Sequence, residues 1–284
     1  MATLNLPERR SDTLVCTPTY NEGGSIGALL DGLLASPRPL DIVVVDDGST
    51  DGTENEILSR ARTHPQIHLI RRKGKLGIGS AHQLGWLHAR RLGYARIVTL
   101  DADLSHDPAD VSRLLDALDA GADVAIGSRF IAGGRLDYSG WRLAVSRTAN
   151  IVARSLLTMP TYEQTTSLRA AKLDKVPQGL VESMLRDGYA FFLSCMARFA
   201  RAGLKIAELP IHFRDRNSGQ SKLPPFEIVR CGVNLLQLAA LRTNPAPIPL
   251  LPEEQCTCAS CGRPYLIRTE DGGTRCLACL AEPS

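Results

Sequence analysis

An α/β fold with a mostly parallel central sheet is what this sequence predicts, and three observations predict it. Short β-branched apolar runs alternate with helix-period segments at least four times before residue 127. The connections between them are short, so each crossover runs through a helix and neighbouring strands lie parallel. Polar motifs follow the carboxyl ends of four of those runs, the rim where such sheets bind ligands.

The first run, Thr13–Thr17, ends at Pro18-Thr-Tyr-Asn-Glu22. Ile26, Leu29, Leu30, Leu33 and Leu34 then fall on one face of a helix. Ile42–Val45 is β-branched or apolar throughout and flanked by Asp41 and Asp46, the pattern of a strand buried on both faces. Residues 54–62 read as helix, 67–70 as strand, 78–92 as helix and 96–100 as strand. Asp107 as N-cap and Pro108 at the first helical position predict the next helix, and 123–126 the next strand. After Gly140 the alternation stops. Helices are expected at 142–157, 180–185, 189–202 and 226–241, with a strand at 205–209. Three units follow: a catalytic domain over 1–243 that includes the helix 226–241, a proline-rich linker over 244–254, and a cysteine-rich unit over 255–284.

Composition narrows the function classes. With 284 residues, 44% hydrophobic and 22% charged, the chain can bury a core. A net charge of +3 is too small to argue for nucleic acid. The beginning shows no basic segment followed by an apolar one, and no run approaches the length that spans a bilayer. The expected location is therefore cytoplasmic, and the eight cysteines read as metal ligands or core residues, not disulfides.

Asp101-Ala-Asp103 directly follows a strand, so both carboxylates can converge on one hard cation such as Mg²⁺ or Mn²⁺. Asp46-Asp-Gly-Ser-Thr-Asp51 suits hydrogen bonding to a ribose or base, although the same residues favour turns. Arg71-Arg-Lys-Gly-Lys75 places four positive charges before a helix, where they can clamp a pyrophosphate or simply form a solvated loop. Neither a phosphate-binding P-loop nor a dinucleotide glycine fingerprint is present.

Together these motifs resemble the dolichol-phosphate (polyprenyl-phosphate) mannosyltransferase group of glycosyltransferase family 2, which has the GT-A fold. The landmarks are Pro18–Glu22, Val45–Thr53, Lys75–Gly79, Leu100–Pro108, Gly127–Phe130, the segment ending Ser-Arg-Thr-Ala-Asn150, and Phe213–Lys222. The resemblance implies inverting, divalent-metal-dependent transfer of a sugar from a GDP- or UDP-sugar to a polyprenyl phosphate. Pro18, Tyr20, Glu22, Asp46, Asp47, Asp51, Lys75 and Ala102 would frame the donor nucleotide, while Asp101 and Asp103 would hold Mg²⁺ or Mn²⁺ against its diphosphate. Arg129, Arg142, Ser146, Arg214 and Lys222 would surround the leaving group and the acceptor phosphate, and Asp103 counts among the catalytic residues. Spacing adds that Arg142, Ser146 and Asn150 share one helix face.

The chain departs from the family pattern at Glu163 (usually Asp), Thr166 (small), Leu168 (Phe), Phe192 (Gln) and Ser194 (Glu). A less polar wall follows, and with it the expectation that sugar or acceptor differs from mannose and dolichol phosphate. A lipid acceptor implies peripheral contact with the cytoplasmic membrane face. The charged, apolar helix 226–241 could either lie in that interface or pack on the domain. Cys258-x2-Cys261 and Cys276-x2-Cys279 supply four thiolates for a structural zinc ribbon, open to partner docking, a lid role or a dimer contact. Two other readings remain: a family 2 transferase with a soluble or sugar-phosphate acceptor, and a non-catalytic nucleotide-sugar-binding protein that docks a partner through its zinc ribbon.

Overall fold

The computed structural model describes residues 9–72, 74–177, 179–181, 190–215 and 235–236, the side chain of Arg142 excepted. The first half alternates as expected: β1 (Thr13–Thr19), α1 (Ile26–Leu34), β2 (Asp41–Asp46), α2 (Thr53–Ala61), β3 (Ile67–Arg71), α3 (Ile78–Arg91), β4 (Arg96–Thr99), α4 (Asp110–Asp119) and β5 (Val124–Ser128). The second half adds β6 (Arg135–Leu136), α5 (Trp141–Leu157), β7 (Arg169–Lys172), α6 (Ala190–Arg201), β8 (Ile206–Pro210) and β9 (His212–Phe213). Seven strands form one sheet in the order β3-β2-β1-β4-β7-β5-β8, and β6 pairs with β9 beside it. All pairings in the large sheet are parallel except those of β7, which runs antiparallel to both β4 and β5.

Strand periodicity sorts the core into two layers. Leu14, Cys16, Val43 and Val45 face one side and pack with Trp86 of α3 and Phe199 of α6. Val15, Ile42 and Val44 face the other, against Leu29, Leu30 and Leu33 of α1 and Leu114, Leu115 and Leu118 of α4. Each of these side chains stabilises the fold by about 1.5–3 kcal/mol through burial. Gly85 lets α3 approach the sheet closely, since a Cβ there would overlap the Cys16 side chain.

Three expectations need correction. The helix expected from Asp107 begins at Asp110; Asp107 Oδ1 instead accepts the Ala109 N–H (3.0 Å) in a turn that precedes it. β7 was not foreseen as a strand, because its four residues, Arg-Ala-Ala-Lys, carry little β-propensity and owe their conformation to the strands on both sides. The small β6–β9 pair is too short to leave a sequence signal. The expected helix 180–185, the linker, the zinc-ribbon cysteines Cys258, Cys261, Cys276 and Cys279, and Lys222 lie wholly or mostly outside the described residues. Of helix 226–241 only Leu235, buried in the core, and the exposed Leu236 are described.

Candidate active site

The carboxyl ends of β1, β2 and β4 meet at one rim because β1 lies between the other two. Thr19 is opposite Asp46 and Cys16 opposite Thr99, so Asp101 and the Asp46–Asp51 loop flank the end of β1. Two interstrand spacings separate them, ~10 Å.

On the β2 side two loops are knitted together. Asn21, at φ 55°, takes its place by donating its N–H to Ser49 Oγ (2.8 Å) and accepting the Thr50 N–H at Oδ1 (2.9 Å). The Glu22 N–H donates to Thr53 Oγ1 (2.9 Å), and the Gly23 N–H to Asp51 Oδ2 (2.9 Å). Asp51 also accepts the Thr53 N–H; these hydrogen bonds outweigh the desolvation that opposes them and hold its carboxyl below the usual range. Asp46 is turned onto its own loop, where it accepts N–H bonds from Gly48 (3.1 Å) and Ser49 (2.9 Å). Gly48, at φ +77°, brings this loop close to Gly74, whose Cα would lie 3.3 Å from an added Cβ.

Asp47 is buried and paired with Arg72, and it accepts the Gly77 N–H (3.1 Å). Burial raises its carboxyl, against the opposing pull of the Arg72 guanidinium. Arg71 pairs with Glu54. Two of the four charges read as an anion clamp thus brace the loop itself. Lys75 is exposed and stands over the Tyr20 ring, 4.6 Å from its centroid, at the same rim. Pro18 lies opposite Val45, one residue before β1 ends, and the Glu22 carboxylate accepts the Ser25 hydroxyl (3.1 Å).

The Asp101–Asp103 turn is tight. Ala102 is buried between the two acids, Leu104 takes φ 60°, and Asp103 Oδ1 accepts the Ser105 N–H (3.0 Å). His106 lies 3.9 Å from Asp101 Oδ2 and 3.1 Å from Ser167 Oγ. Burial lowers its imidazole to about 4, so it is neutral at pH 7. Among the described residues no third His, Cys, Asp or Glu completes a cage around the pair. A donor set of two carboxylates, open to phosphate oxygens and water, fits Mg²⁺ or Mn²⁺.

The β5 side is built from side-chain pairs distant in sequence. Arg129 forks onto the fully buried Glu163 (2.7 and 2.8 Å) and donates further to Thr165 Oγ1 and the Tyr138 hydroxyl, both at 2.9 Å. Its guanidinium also stacks 5.1 Å from the Phe213 ring, which in turn meets His106 edge-on at 5.1 Å. Desolvation opposes ionisation of Glu163, but the Arg129 charge and hydrogen bonds prevail and keep its carboxyl below the usual range. The Tyr138 hydroxyl reaches Ser146 Oγ on α5 (3.3 Å). Asn150, one turn on, is buried and accepts the Gln164 N–H (2.7 Å). Arg214 pairs with Asp107 (2.7 Å). α5 carries Arg142 near its start.

Phe192 and Ser194 lie in the packed interior. Phe192 contacts His82 and Phe191 edge-on, and the Arg169 guanidinium stands 5.1 Å from its ring centroid. Arg169 is itself buried and bonded to the carbonyls of Gln164, Thr166 and Phe192. Tyr138 and Arg169 were not foreseen as site-building residues, and Arg72 was read as part of an anion clamp, not as the partner of Asp47. Arg72 had a signal, its place in the basic run, but no local pattern marks a tyrosine that bonds across a loop.

Comparison with known proteins agrees with this fold. Residues 14–176 match the family described as Glycosyl transferase family 2. The chain is 39% identical over 216 residues to a polyprenol monophosphomannose synthase of Mycolicibacterium smegmatis, covering 74% of this chain and 80% of that one. It is 35% identical over 211 residues to an undecaprenyl-phosphate mannosyltransferase of Micrococcus luteus, covering 74% and 86%. Among solved structures, the fold matches glucosyl-3-phosphoglycerate synthase of Mycobacterium tuberculosis in complex with UDP at a TM-score of 0.58, 20% identity and 80% coverage of both chains. It also matches a Pyrobaculum calidifontis mannosyltransferase in complex with GDP-Man and Mn²⁺ at a TM-score of 0.50 and 20% identity, covering 83% and 75%. The sheet and its helices are those of a GT-A-like α/β fold, and the chain belongs to glycosyltransferase family 2 as a glycosyltransferase enzyme.

Proposed function

We propose that the enzyme moves a mannosyl group from a nucleoside-diphosphate donor to a polyprenyl phosphate, with inversion at the anomeric carbon. The observation that carries this reading is the Asp101–Asp103 pair, set across β1 from a loop whose backbone is cross-linked to the 18–25 loop. The names of the two relatives supply the sugar and the acceptor class.

The 18–25 and 46–53 loops bind the nucleoside, with Tyr20 and Lys75 beside them. Asp101 and Asp103 hold Mg²⁺ or Mn²⁺, which supplies charge neutralisation to the leaving diphosphate. Neutral His106 sits behind Asp101 and adds no cation to compete with that ion. An acceptor phosphate oxygen, anionic at pH 7, forms the new bond to the anomeric carbon as the bond to the diphosphate breaks. It needs little help from a general base, so alignment and charge are the enzyme's contribution. Arg142, Ser146, Arg214 and Lys222 belong to the acceptor side of this scheme.

No helix among the described residues is long and apolar enough to cross a membrane. Trp141, Val145, Val152 and Leu156 nevertheless line one exposed stripe of α5. The proposal includes peripheral contact of this stripe with the cytoplasmic membrane face. It also includes a structural zinc on Cys258, Cys261, Cys276 and Cys279, expected as about one ion per chain by metal analysis.

The test is transfer of labelled mannose from GDP-mannose to a polyprenyl phosphate, compared with UDP-sugars and with soluble acceptors. Transfer to the lipid that EDTA stops and Mn²⁺ restores is the expected result. Full turnover in EDTA, or transfer to soluble acceptors alone, would overturn the reading.

A further inference from the structure

The segment 161–168, which leads into β7, belongs to no helix or strand, so its N–H groups have no place in a helical or sheet ladder. Side chains take them instead. The N–H groups of Tyr162 and Glu163 donate to the two carboxylate oxygens of Glu208, each at 2.9 Å. The next N–H, of Gln164, donates to Asn150 Oδ1 (2.7 Å), and that of Thr165 to Glu163 Oε1 (3.0 Å). Consecutive N–H groups from 162 to 165 are thus held by three side chains, and Glu208 takes two of them.

Glu208 lies on β8, at the edge of the sheet, opposite Ile126 of β5. Its two oxygens fix the backbone of Glu163, and the fully buried Glu163 carboxylate forks onto Arg129. Arg129 donates on to the Tyr138 hydroxyl, which reaches Ser146 on α5. A two-point fork tolerates little displacement of the carbon that carries it, ~1 Å at most. The path therefore runs from an edge strand to Arg129 and Ser146 through one backbone position. It shares no residue with the bonds that cross-link the 18–25 and 46–53 loops, Asn21 to Ser49 and Gly23 to Asp51.

We propose that Glu208 is a positioning residue for the acceptor side: its carboxylate sets the backbone of Glu163 and, through Glu163, aims the Arg129 guanidinium. Glu208 itself touches neither substrate nor metal. The inference rests on the reading given under Proposed function. What the position requires is two accepting oxygens on one side chain, which a carboxylate has and an amide lacks.

Steady-state kinetics of the full chain with GDP-mannose and polyprenyl phosphate, together with amide hydrogen exchange over 162–165, test it. Glu208→Gln keeps one accepting oxygen and turns an amide N–H toward the other backbone N–H. It should raise the acceptor KM about fivefold and leave the donor KM within about twofold. Glu208→Ala should raise the acceptor KM further, and exchange at 162–165 should quicken in both variants. The nearly isosteric Gln variant keeps the test available if the Ala variant folds poorly. Unchanged exchange in Glu208→Gln would overturn the inference whatever the acceptor. Quickened exchange with an unchanged acceptor KM, the mark of a purely structural residue, would sink the inference alone, as would a rise in both KM values together. A selective rise on a soluble acceptor, with no wild-type transfer to polyprenyl phosphate, would keep the inference and sink the proposed function alone.

Discussion

The two sides of the rim are held together by different physics. On the β1–β2 side, backbone N–H groups and short polar side chains cross-link two adjacent loops, Asn21 to Ser49 and Thr50, Glu22 to Thr53, Gly23 to Asp51. On the β5 side, long charged side chains reach between segments far apart in sequence, Arg129 to Glu163 and Arg214 to Asp107. The first arrangement fixes the backbones of two neighbouring loops against each other as a template. The second leaves a wall whose chemistry depends on a few side-chain pairs and can change without disturbing the template.

Substitutions on each side should break this contrast or sharpen it. Asp103→Ala is expected to lower turnover by a factor on the order of 10³ or more while thermal stability and the far-UV spectrum stay near wild type. Retained activity would show that the template does not depend on the acidic turn. Glu163→Ala leaves the largely covered Arg129 guanidinium without its carboxylate, and a loss of about 3 kcal/mol is expected in denaturant unfolding. If stability barely moves, the β5 wall is not held by this pair.

Acid should also act through the core. His82 and His88 are buried, and burial lowers them to about 3 and about 4. Because the unfolded chain takes up protons on both below about pH 6.5, their contribution to stability is complete above that pH and fades toward pH 4. A fall in Tm of at least about 5 °C across that window is expected, and His82→Leu should reduce it. An unchanged difference in the variant would remove His82 from the account. Asp51→Ala should raise the donor KM by about tenfold and leave the acceptor KM unchanged, through the loss of its bonds to Gly23 and Thr53. Tyr138→Phe is the mildest change, costing about 1 kcal/mol and raising the acceptor KM a few-fold with the donor KM constant. If Asp51 and Tyr138 moved both constants together, the two sides would be one cooperative unit.

This contrast also explains what could be read in advance. The β1–β2–β4 rim is written in contiguous residues at strand ends, so alternation of apolar runs placed Asp46–Asp51 and Asp101–Asp103 on it. The α5 face of Ser146 and Asn150 followed from helical spacing and is present. The pairing of Glu163 with Arg129 was invisible, because neither residue's neighbourhood encodes the other. Glu163 stood out only as a departure from a family pattern, and the structure gives that longer acid a partner. Asp107 misled for a local reason: the same Asp-Pro pair that opens a helix also opens a turn.

One feature of the sheet accounts for how the second wall arises. β7 runs against its neighbours, with Arg169 at its start beside Thr99 and Ile126 near the finish of β4 and β5. A reversed strand delivers to the edge the residues that come before it, whereas its neighbours deliver those that come after. The segment 163–168 is therefore threaded inward past the exits of β4 and β5 and laid against Arg129 and His106 on the way. A lengthened or rewritten approach to that strand can reshape the wall around Arg129 and His106 while leaving the hydrogen-bond register of the sheet untouched.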